Sequence, residues 1–407
     1  MRTPSQAITD ILGRIRPLKH KESVPLRRAA GRVLAEEVLS DVDLPPFEKS
    51  AMDVFAVRSG DFDPESDAAV TLRCRGESRA GGPFDGDVPP GSCVEIYTGA
   101  ELPASCDAVV MVERSSRDEA EPEQVTLTDR VSAGLNVNHR GEVLRTGGAV
   151  YAPGRRLTAA DLSVLAAVGC DPVPVFARPR VHVLTTGDEL VPTTEKPGRG
   201  QIREGNTLYL AAACEQHGAE VLGAGIVRDD EDEMLARFGE ALETADALIT
   251  TGGVSMGKYD LVGKTFEALG VEPVLHKVAI KPGKPIWFGL RGDTPVFGLP
   301  GNPVSSLLGY EVFVRPALAR MGGAGEEEQA ERMRDGVWGG SATKPNCRQQ
   351  NLPCLVEQDE KGRDLLRPLP WMGSADIVGA SRSRALAVID AETTVEAGQK
   401  IRYRPLD

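Results

Sequence analysis

Between Arg180 and Met321 short apolar runs alternate with amphipathic stretches of about 10–15 residues, and this rhythm restricts the fold more than any other feature of the chain. VHVLTT reads as a buried strand, NTLYLAAACEQHG as a helix stopped at Gly218, AEVLGAGIV as a strand and EDEMLARFGEALETA as a helix. DALITT is a strand, YDLVGKTFEALG a helix ending at Gly270, and PVLHKVAI, PIWFGL and PVFGL are strands before a last helix from Val304 to Met321. Strand and helix in alternation mean βαβ units and a mostly parallel sheet. Such sheets bind ligands beyond the carboxyl ends of their strands, and the polar signatures of this region fall in those loops.

The flanking regions have different rhythms. Residues 5–16 carry Ile8, Ile11, Leu12 and Ile15 at helical spacing, and a second helix is expected over Leu26–Val38. From Asp41 to Asn138, runs such as CVEIYTG and AVVMVE are punctuated by GGP, FDGD and VPPG, which predicts a small β-rich insert. TAADLSVLAAV returns to helix with Gly169 as its stop, and residues 322–334 read as a linker. Alternating runs beyond it predict a small all-β, barrel-like tail. The expected division is a discontinuous N-terminal domain (1–40 and 140–177), an insert (41–139), an α/β domain (178–325) and a C-terminal β domain (326–407).

Charge and composition narrow the function classes. A net charge of −13 argues against general binding to nucleic acid or anionic membranes. No run approaches a transmembrane length and the N-terminus lacks a signal-peptide core, so a cytoplasmic protein is expected. The seven cysteines form no C-x-x-C pair and read as reduced thiols; the five scattered histidines offer no zinc site.

Three loops carry chemistry. In TTGGVSMGKYD, Gly252, Gly253 and Gly257 let backbone N–H groups approach an anion at a helix start. Gly257-Lys258 imitates a nucleotide-phosphate loop, but Tyr259 stands where that motif needs a hydroxyl for the metal. An ordinary strand-to-helix turn explains the glycines equally well. In HKVAIKPGKP, Lys277, Lys281 and Lys284 occupy a window without acids; an extended strand would set 277 and 281 on one face, with the Pro282-Gly283 turn bringing Lys284 alongside. Either an oxyanion sink or a lysine-guarded edge strand fits. In GLPGNPVSS, Asn302 suits an N-cap and Pro303 the first helical position. Carboxylates stand at neighbouring strand ends: Asp188, Glu189, Asp229, Asp230 and Asp260. Asp230 is accounted for as a helix cap, which leaves Asp229 as the carboxylate for a hard divalent cation. Lysines and carboxylates around one crevice suit a metal-assisted reaction on an anionic, phosphorylated substrate.

Taken in order, PPFEKSAMDVFAVR (45–58), YTGAELPASCDAVVMVE (97–113), NHRGEVLRTGG (138–148), TTGDELV (185–191), VRDDEDE (227–233), TTGGVSMGKYD (250–260), AIKPGKP (279–285), GLPGNPVSS (298–306) and LPWMGSADIVGASRSRALAVI (369–389) resemble the molybdopterin molybdenumtransferases, the MoeA family that also matches the E domain of gephyrin. The resemblance implies a three-layer α/β domain of the molybdopterin-binding type, insertion of molybdate into adenylylated molybdopterin with Mg²⁺ and release of AMP, and a homodimer. Its site would lie between the α/β domain of one subunit and the insert of the partner. Contact with the molybdopterin adenylyltransferase is a further expectation.

By motif, the resemblance assigns catalysis to Asp53, Glu189, Asp229, Asp260 and Lys281, with Glu189, Asp229 and Asp260 as metal ligands. Substrate binding falls to Thr98, Gly252, Gly253, Ser255, Lys277, Lys284, Pro300 and Pro303. The chain departs from the family pattern where SAMDGYA reads SAMDVFA, where RGED reads RGEV at Val143, and where Glu204 replaces a shorter acid; these positions are expected largely on the insert side. Three alternatives remain open at this point. One is an adenylyltransferase, one a paralogue that binds pterin or oxyanion without efficient turnover, and the last is tungstate in place of molybdate.

Overall fold

The computed structural model describes residues 1–63, 65–118, 120–253, 261–330 and 332–406. The chain forms two compact units: one comprises Met1–Glu36, Pro153–Ala159 and Pro172–Asp407, the other Glu37–Ala152 and Ala160–Asp171.

The first unit is built on a six-stranded sheet in the order Glu220–Val227, Arg180–Thr186, Ala247–Thr251, Thr294–Leu299, Trp287–Arg291, Glu272–His276. Its first four strands are parallel, and the last two pairings are antiparallel, so that Trp287–Arg291 alone runs against the rest. Successive side chains alternate between the two faces. Val181, Val183, Ala247, Ile249, Phe297 and Leu299 pack on one face with residues of Asn206–Gln216 and Pro303–Met321; Leu184, Leu248 and Val296 pack on the other with Glu231–Thr244 and Leu261–Ala268. The result is the mostly parallel sheet expected from the rhythm, in the three-layer α/β arrangement that the resemblance implies. Gly218 and Gly270 take positive φ just past their helices, as the stops require.

The N-terminal helix, Pro4–Leu12, joins that same core through Ala7, Ile8 and Ile11. It starts with a reciprocal Thr3–Gln6 capping box and ends at Gly13, so Ile15 reaches the core from beyond the helix. The last helix contains a π turn at Tyr310–Val314 ahead of Pro316. Proline lacks an N–H and its ring crowds the preceding turn, and the wider turn accommodates both.

Residues Leu26–Val38 are not the expected helix. Only a single 3₁₀ turn forms at Leu26–Arg28; Gly31 then takes φ +74°, and Val33 and Leu34 make isolated bridges to Arg156 and Val175. The apolar triplet Val33–Ala35 is buried as extended chain instead.

The C-terminal tail is a closed five-stranded barrel. Gln349–Gln358 pairs with both Asp364–Pro368 and Ala385–Ile389, and Arg334–Trp338 and Lys400–Pro405 complete the ring. Trp338, Cys354, Leu366, Ala387, Ile401 and Tyr403 fill it.

The second unit holds a six-stranded mixed sheet in the order Ala108–Met111, Val54–Val57, Ser92–Ile96, Val70–Ser78, Glu121–Leu127, Ser115–Asp118. Its two faces bury separate clusters, Cys93 and Val110 on one side, Val94 and Val109 on the other. The helix Ala159–Ala167, followed by Gly169 at φ +75°, belongs to this unit.

Candidate functional site

In the first unit, the loops after the parallel strands converge on glycine. The Gly252 N–H donates to the Leu299 carbonyl (3.1 Å), and Thr251 Oγ1 donates to the Pro300 carbonyl (3.0 Å). Asn206 Nδ2 donates to the Gly301 carbonyl (2.8 Å) and Thr185 Oγ1 to the Thr251 carbonyl (3.2 Å). Gly252 takes φ +90°, and a Cβ there would stand 2.4 Å from the Thr186 carbonyl oxygen; a Cβ on Gly253 would stand 2.8 Å from Thr186 Oγ1. Only glycine lets these loops close so tightly. Thr186 Oγ1 is buried and, among the described residues, has no hydrogen-bond partner. Ser255, Gly257, Lys258, Tyr259 and Asp260 lie outside the described residues.

Pro303 opens the last helix as expected, whereas Asn302 occupies the cap position without capping. Its amide donates instead to Ser374 Oγ (3.0 Å), and the Val304 N–H donates to the Ser374 carbonyl (3.0 Å). Ser374 therefore belongs to this helix start. Sequence reasoning missed it because no local spacing links 302 with 374.

The lysine segment also differs from expectation. Lys277 takes φ +68°, so 277, 279 and 281 do not lie along one extended strand. Lys277 N–H donates to the Ile286 carbonyl and Val278 N–H to that of Lys284, which closes residues 277–286 into a loop. Ile280–Lys281 pairs in parallel with Gln349–Gln350 of the barrel, and Arg348 Nη1 donates to the Ile280 carbonyl (3.1 Å). At the tip, a Cβ on Gly283 would lie 3.5 Å from the Ser305 carbonyl. The lysine turn thus packs on the first turn of the helix that follows Pro300. Lys281 and Lys284 are exposed, and among the described residues none of the three lysines has an ion pair. Arg348 is a cation of this loop that no motif announced.

On the acidic side, Asp230 caps Glu231–Thr244 by accepting from the Glu233 N–H (2.9 Å), as expected. The Asp229 N–H donates to Asp188 Oδ1 (3.2 Å), which joins two strand-end loops. Partial desolvation, then the charges of Asp188 and Glu189, push the Asp229 carboxyl above its ordinary range. Glu189 lies against Gly187, whose Cβ would meet its carboxylate at 2.6 Å. Among the described residues no three ligating side chains close on a single point, so Glu189 and Asp229 do not form a complete metal cage by themselves.

Glu204 lies in this unit, not on the insert side. It is only 6% exposed, and its carboxylate accepts from the Thr207 N–H (2.8 Å) and hydroxyl (2.5 Å). Its charge is occupied in starting the helix Asn206–Gln216.

In the second unit, Asp53 Oδ1 accepts from both the Thr98 N–H (2.6 Å) and Thr98 Oγ1 (2.8 Å). These bonds, the backbone one foremost, hold the Asp53 carboxyl below its ordinary range. A cleft of about 430 Å³ runs beside them, lined by Asp53, Phe55, Glu95, Tyr97 and Arg117 among others. Val54 holds φ +157°, a conformation glycine adopts more readily than a β-branched residue, at the position where SAMDGYA has its glycine. Val143 is 75% exposed. Beside it the chain is a turn, not a strand: the Glu142 N–H donates to the His139 carbonyl, and the Glu142 carboxylate accepts from the His139 N–H. Nearby, the Thr146 N–H foremost, with Arg140 and the Thr146 hydroxyl, lowers Asp43 to about 2.

Comparison with known proteins reaches both units. Residues 2–169 match the family described as MoeA N-terminal region (domain I and II), and residues 182–320 match the probable molybdopterin binding domain. The chain is 36% identical to the molybdopterin molybdenumtransferase of Haemophilus influenzae over 323 residues, 79% of this chain and 78% of the relative. It is 31% identical to that of Bacillus subtilis over 384 residues, 94% and 89% of the two chains. A crystal structure of the molybdopterin biosynthesis MoeA protein from Pyrococcus horikoshii superposes with a TM-score of 0.84 at 26% identity, covering 100% of each chain. Neither the adenylyltransferase nor the non-catalytic reading is favoured by these likenesses. With its two matched regions, its identity to these enzymes and its α/β, insert and barrel architecture, this chain belongs to the molybdopterin molybdenumtransferase (MoeA) family.

Proposed function

We propose that the chain inserts molybdate into adenylylated molybdopterin and releases AMP. The observation that carries this reading is the packing of the lysine turn on the helix start at Ser305, beside the glycine contacts that draw the strand-end loops together. A helix start and unpaired ammonium groups suit the phosphate of the pterin and the molybdate dianion. Lys281 and Lys284 orient those anions, with Lys277 and Arg348 holding the loop around them. Pro300 and Pro303 fix the turn, and Gly252 and Gly253 leave room for backbone approach.

Mg²⁺ fits the donor chemistry on one ground: Asp229 carries excess negative surroundings that a divalent cation would relieve. Asp229 and Glu189, with Asp260, would hold it, and it would polarise the phosphoanhydride for cleavage. Asp53, held ionised by Thr98, supplies the insert's share of the reaction. We assign the chain to a homodimer in which the insert half and the α/β half of one site come from different subunits. The four-part division into 1–40 with 140–177, 41–139, 178–325 and 326–407, a cytoplasmic location and contact with the adenylyltransferase that makes the substrate belong to the same reading.

Incubation of the purified protein with adenylylated molybdopterin, molybdate and Mg²⁺ should release AMP in proportion to molybdenum incorporated. ATP consumption without AMP-coupled insertion would overturn the assignment. Mixing inactive Asp53→Ala and Lys281→Ala proteins should restore activity through heterodimers; no recovery after confirmed subunit exchange removes the shared site. Running the assay with tungstate separates the two oxyanions.

A further inference from the structure

Cys74 and Cys93 face each other across two parallel strands of the insert sheet, as direct register partners in Val70–Ser78 and Ser92–Ile96. Neighbouring strands lie about 4.7–4.9 Å apart, within the Cα separation a disulfide spans. Both side chains enter the same core cluster: Cys93 is fully buried within it, and Cys74 packs at its edge, half-buried. The other five cysteines have no cysteine as a strand partner.

The surroundings divide the two sulfurs into roles. Arg117 lies near the pair, with its guanidinium 5.1 Å from the centre of the Phe55 ring and bonded to Glu95 at 2.5 Å. Donation from the Cys93 thiol foremost, with backbone bonds at Gly76 and Glu95 and the Arg117 charge, lowers Cys74 to about 6. Cys93 is pushed far the other way, first by its bond to Cys74 and then by burial. The Cys74 thiol donates to the Gly76 carbonyl (3.5 Å) and is the more accessible of the two sulfurs, whereas Cys93 is buried behind it, the division expected of an attacking and a resolving cysteine.

We propose that Cys74 and Cys93 form a hydroperoxide-reactive dithiol that closes to an intramolecular disulfide within the insert sheet. The Cys74 thiolate attacks a peroxide oxygen, the O–O bond breaks, and the departing oxygen takes a proton to leave as water or alcohol. Cys74 is then a sulfenic acid. Cys93 attacks the Cys74 sulfur, an S–S bond replaces the S–O bond, and the hydroxyl leaves with the Cys93 proton as water. Two electrons pass from the sulfurs to one hydroperoxide. The strand bearing Cys93 runs on into Tyr97 and Thr98, the partner of Asp53, so the modification lies at the root of the insert half-site.

Hydrogen peroxide titration of the full-length reduced protein tests this. Peptide mapping should find a Cys74–Cys93 cross-link, two of the seven thiols should disappear, and dithiothreitol should restore both. Cys93→Ser should stop at a sulfenic acid that dimedone traps on Cys74. Alkylation of Cys74 in the unmodified protein should reach half its plateau rate near pH 6. Absence of the cross-link at exposures that oxidise the exposed Cys347, or an alkylation midpoint at the ordinary thiol value of about 8.5, overturns the proposal. These readouts do not depend on molybdenum insertion, so they fail or succeed independently of the assigned activity.

Discussion

Asp53 and Asp229 are the same residue type in the two units, and their surroundings push their carboxyls in opposite directions. Asp53 receives two hydrogen bonds from Thr98 and needs nothing more to stay ionised. Asp229 faces desolvation and the charges of Asp188 and Glu189. A carboxylate already supplied with donors is a fixed acceptor, whereas one crowded by like charge gains most from an incoming cation. The Asp53 carboxylate is therefore finished by its own local fold, and the Asp229 carboxylate is left electrostatically incomplete.

On the proposed function, the largest expected effects lie in the unit that carries Asp229 and Lys281. Lys281→Ala should lower the insertion rate by about 100-fold or more, the scale of removing one preorganised electrostatic group, with thermal unfolding unchanged because the side chain is exposed. Asp229→Asn should be comparably damaging, read as AMP release at saturating Mg²⁺. Normal rates in either folded variant would dissolve the contrast between the units.

Stability against pH sharpens it next. A carboxyl raised in the folded state disfavours folding once ionised, so Asp229→Asn should raise the Tm at pH 7, and only slightly because the side chain is exposed. That gain should vanish as pH falls below 3.8, the unfolded value, where both states are protonated. Asp53→Asn should do the reverse. A lowered carboxyl contributes stability above the unfolded value, and that contribution is lost as pH falls through the folded one. Thermal scans of both variants from pH 3 to 7 check the two signs. Mg²⁺ should raise the Tm of the unsubstituted protein more than that of Asp229→Asn.

A smaller effect is expected at Thr98→Val. It removes the hydroxyl bond to Asp53 but keeps the N–H bond, the larger influence on that carboxyl, so activity should fall about 2–10-fold, as for one hydrogen bond. The smallest belongs to Val143→Asp, where the side chain stands in solvent and Tm should stay unchanged. On the proposed function, insertion at low Mg²⁺ should rise modestly, and an unchanged rate makes the Val143 departure neutral.

Sequence periodicity was sufficient for elements whose side chains obey a single local rule. The apolar run at Val181, Val183 and Leu184 declared a buried strand, whose neighbours Val183 and Leu184 enter cores on opposite faces, and Gly218 and Gly270 marked where helices had to stop. The same reasoning misread Leu26–Val38, where Val33, Leu34 and Ala35 are buried in extended chain and only Leu26–Arg28 makes a helical turn. It also set Lys277 on a strand that its own positive φ interrupts.

What the sequence alone determined was the inventory: α/β rhythm, β-rich insert, barrel-like tail, and the motifs that carry glycine, lysine and carboxylate to loop positions. Local spacing encodes these because helix and strand periods are set by the backbone itself. Tertiary structure decided how those groups are used. Asn302 turns from its cap to Ser374, Arg348 joins the lysine loop, and Asp229 meets Asp188 across two loops. Each involves a partner fixed by packing or by a turn, where side-chain direction depends on the surrounding chain and not on the spacing of residue types.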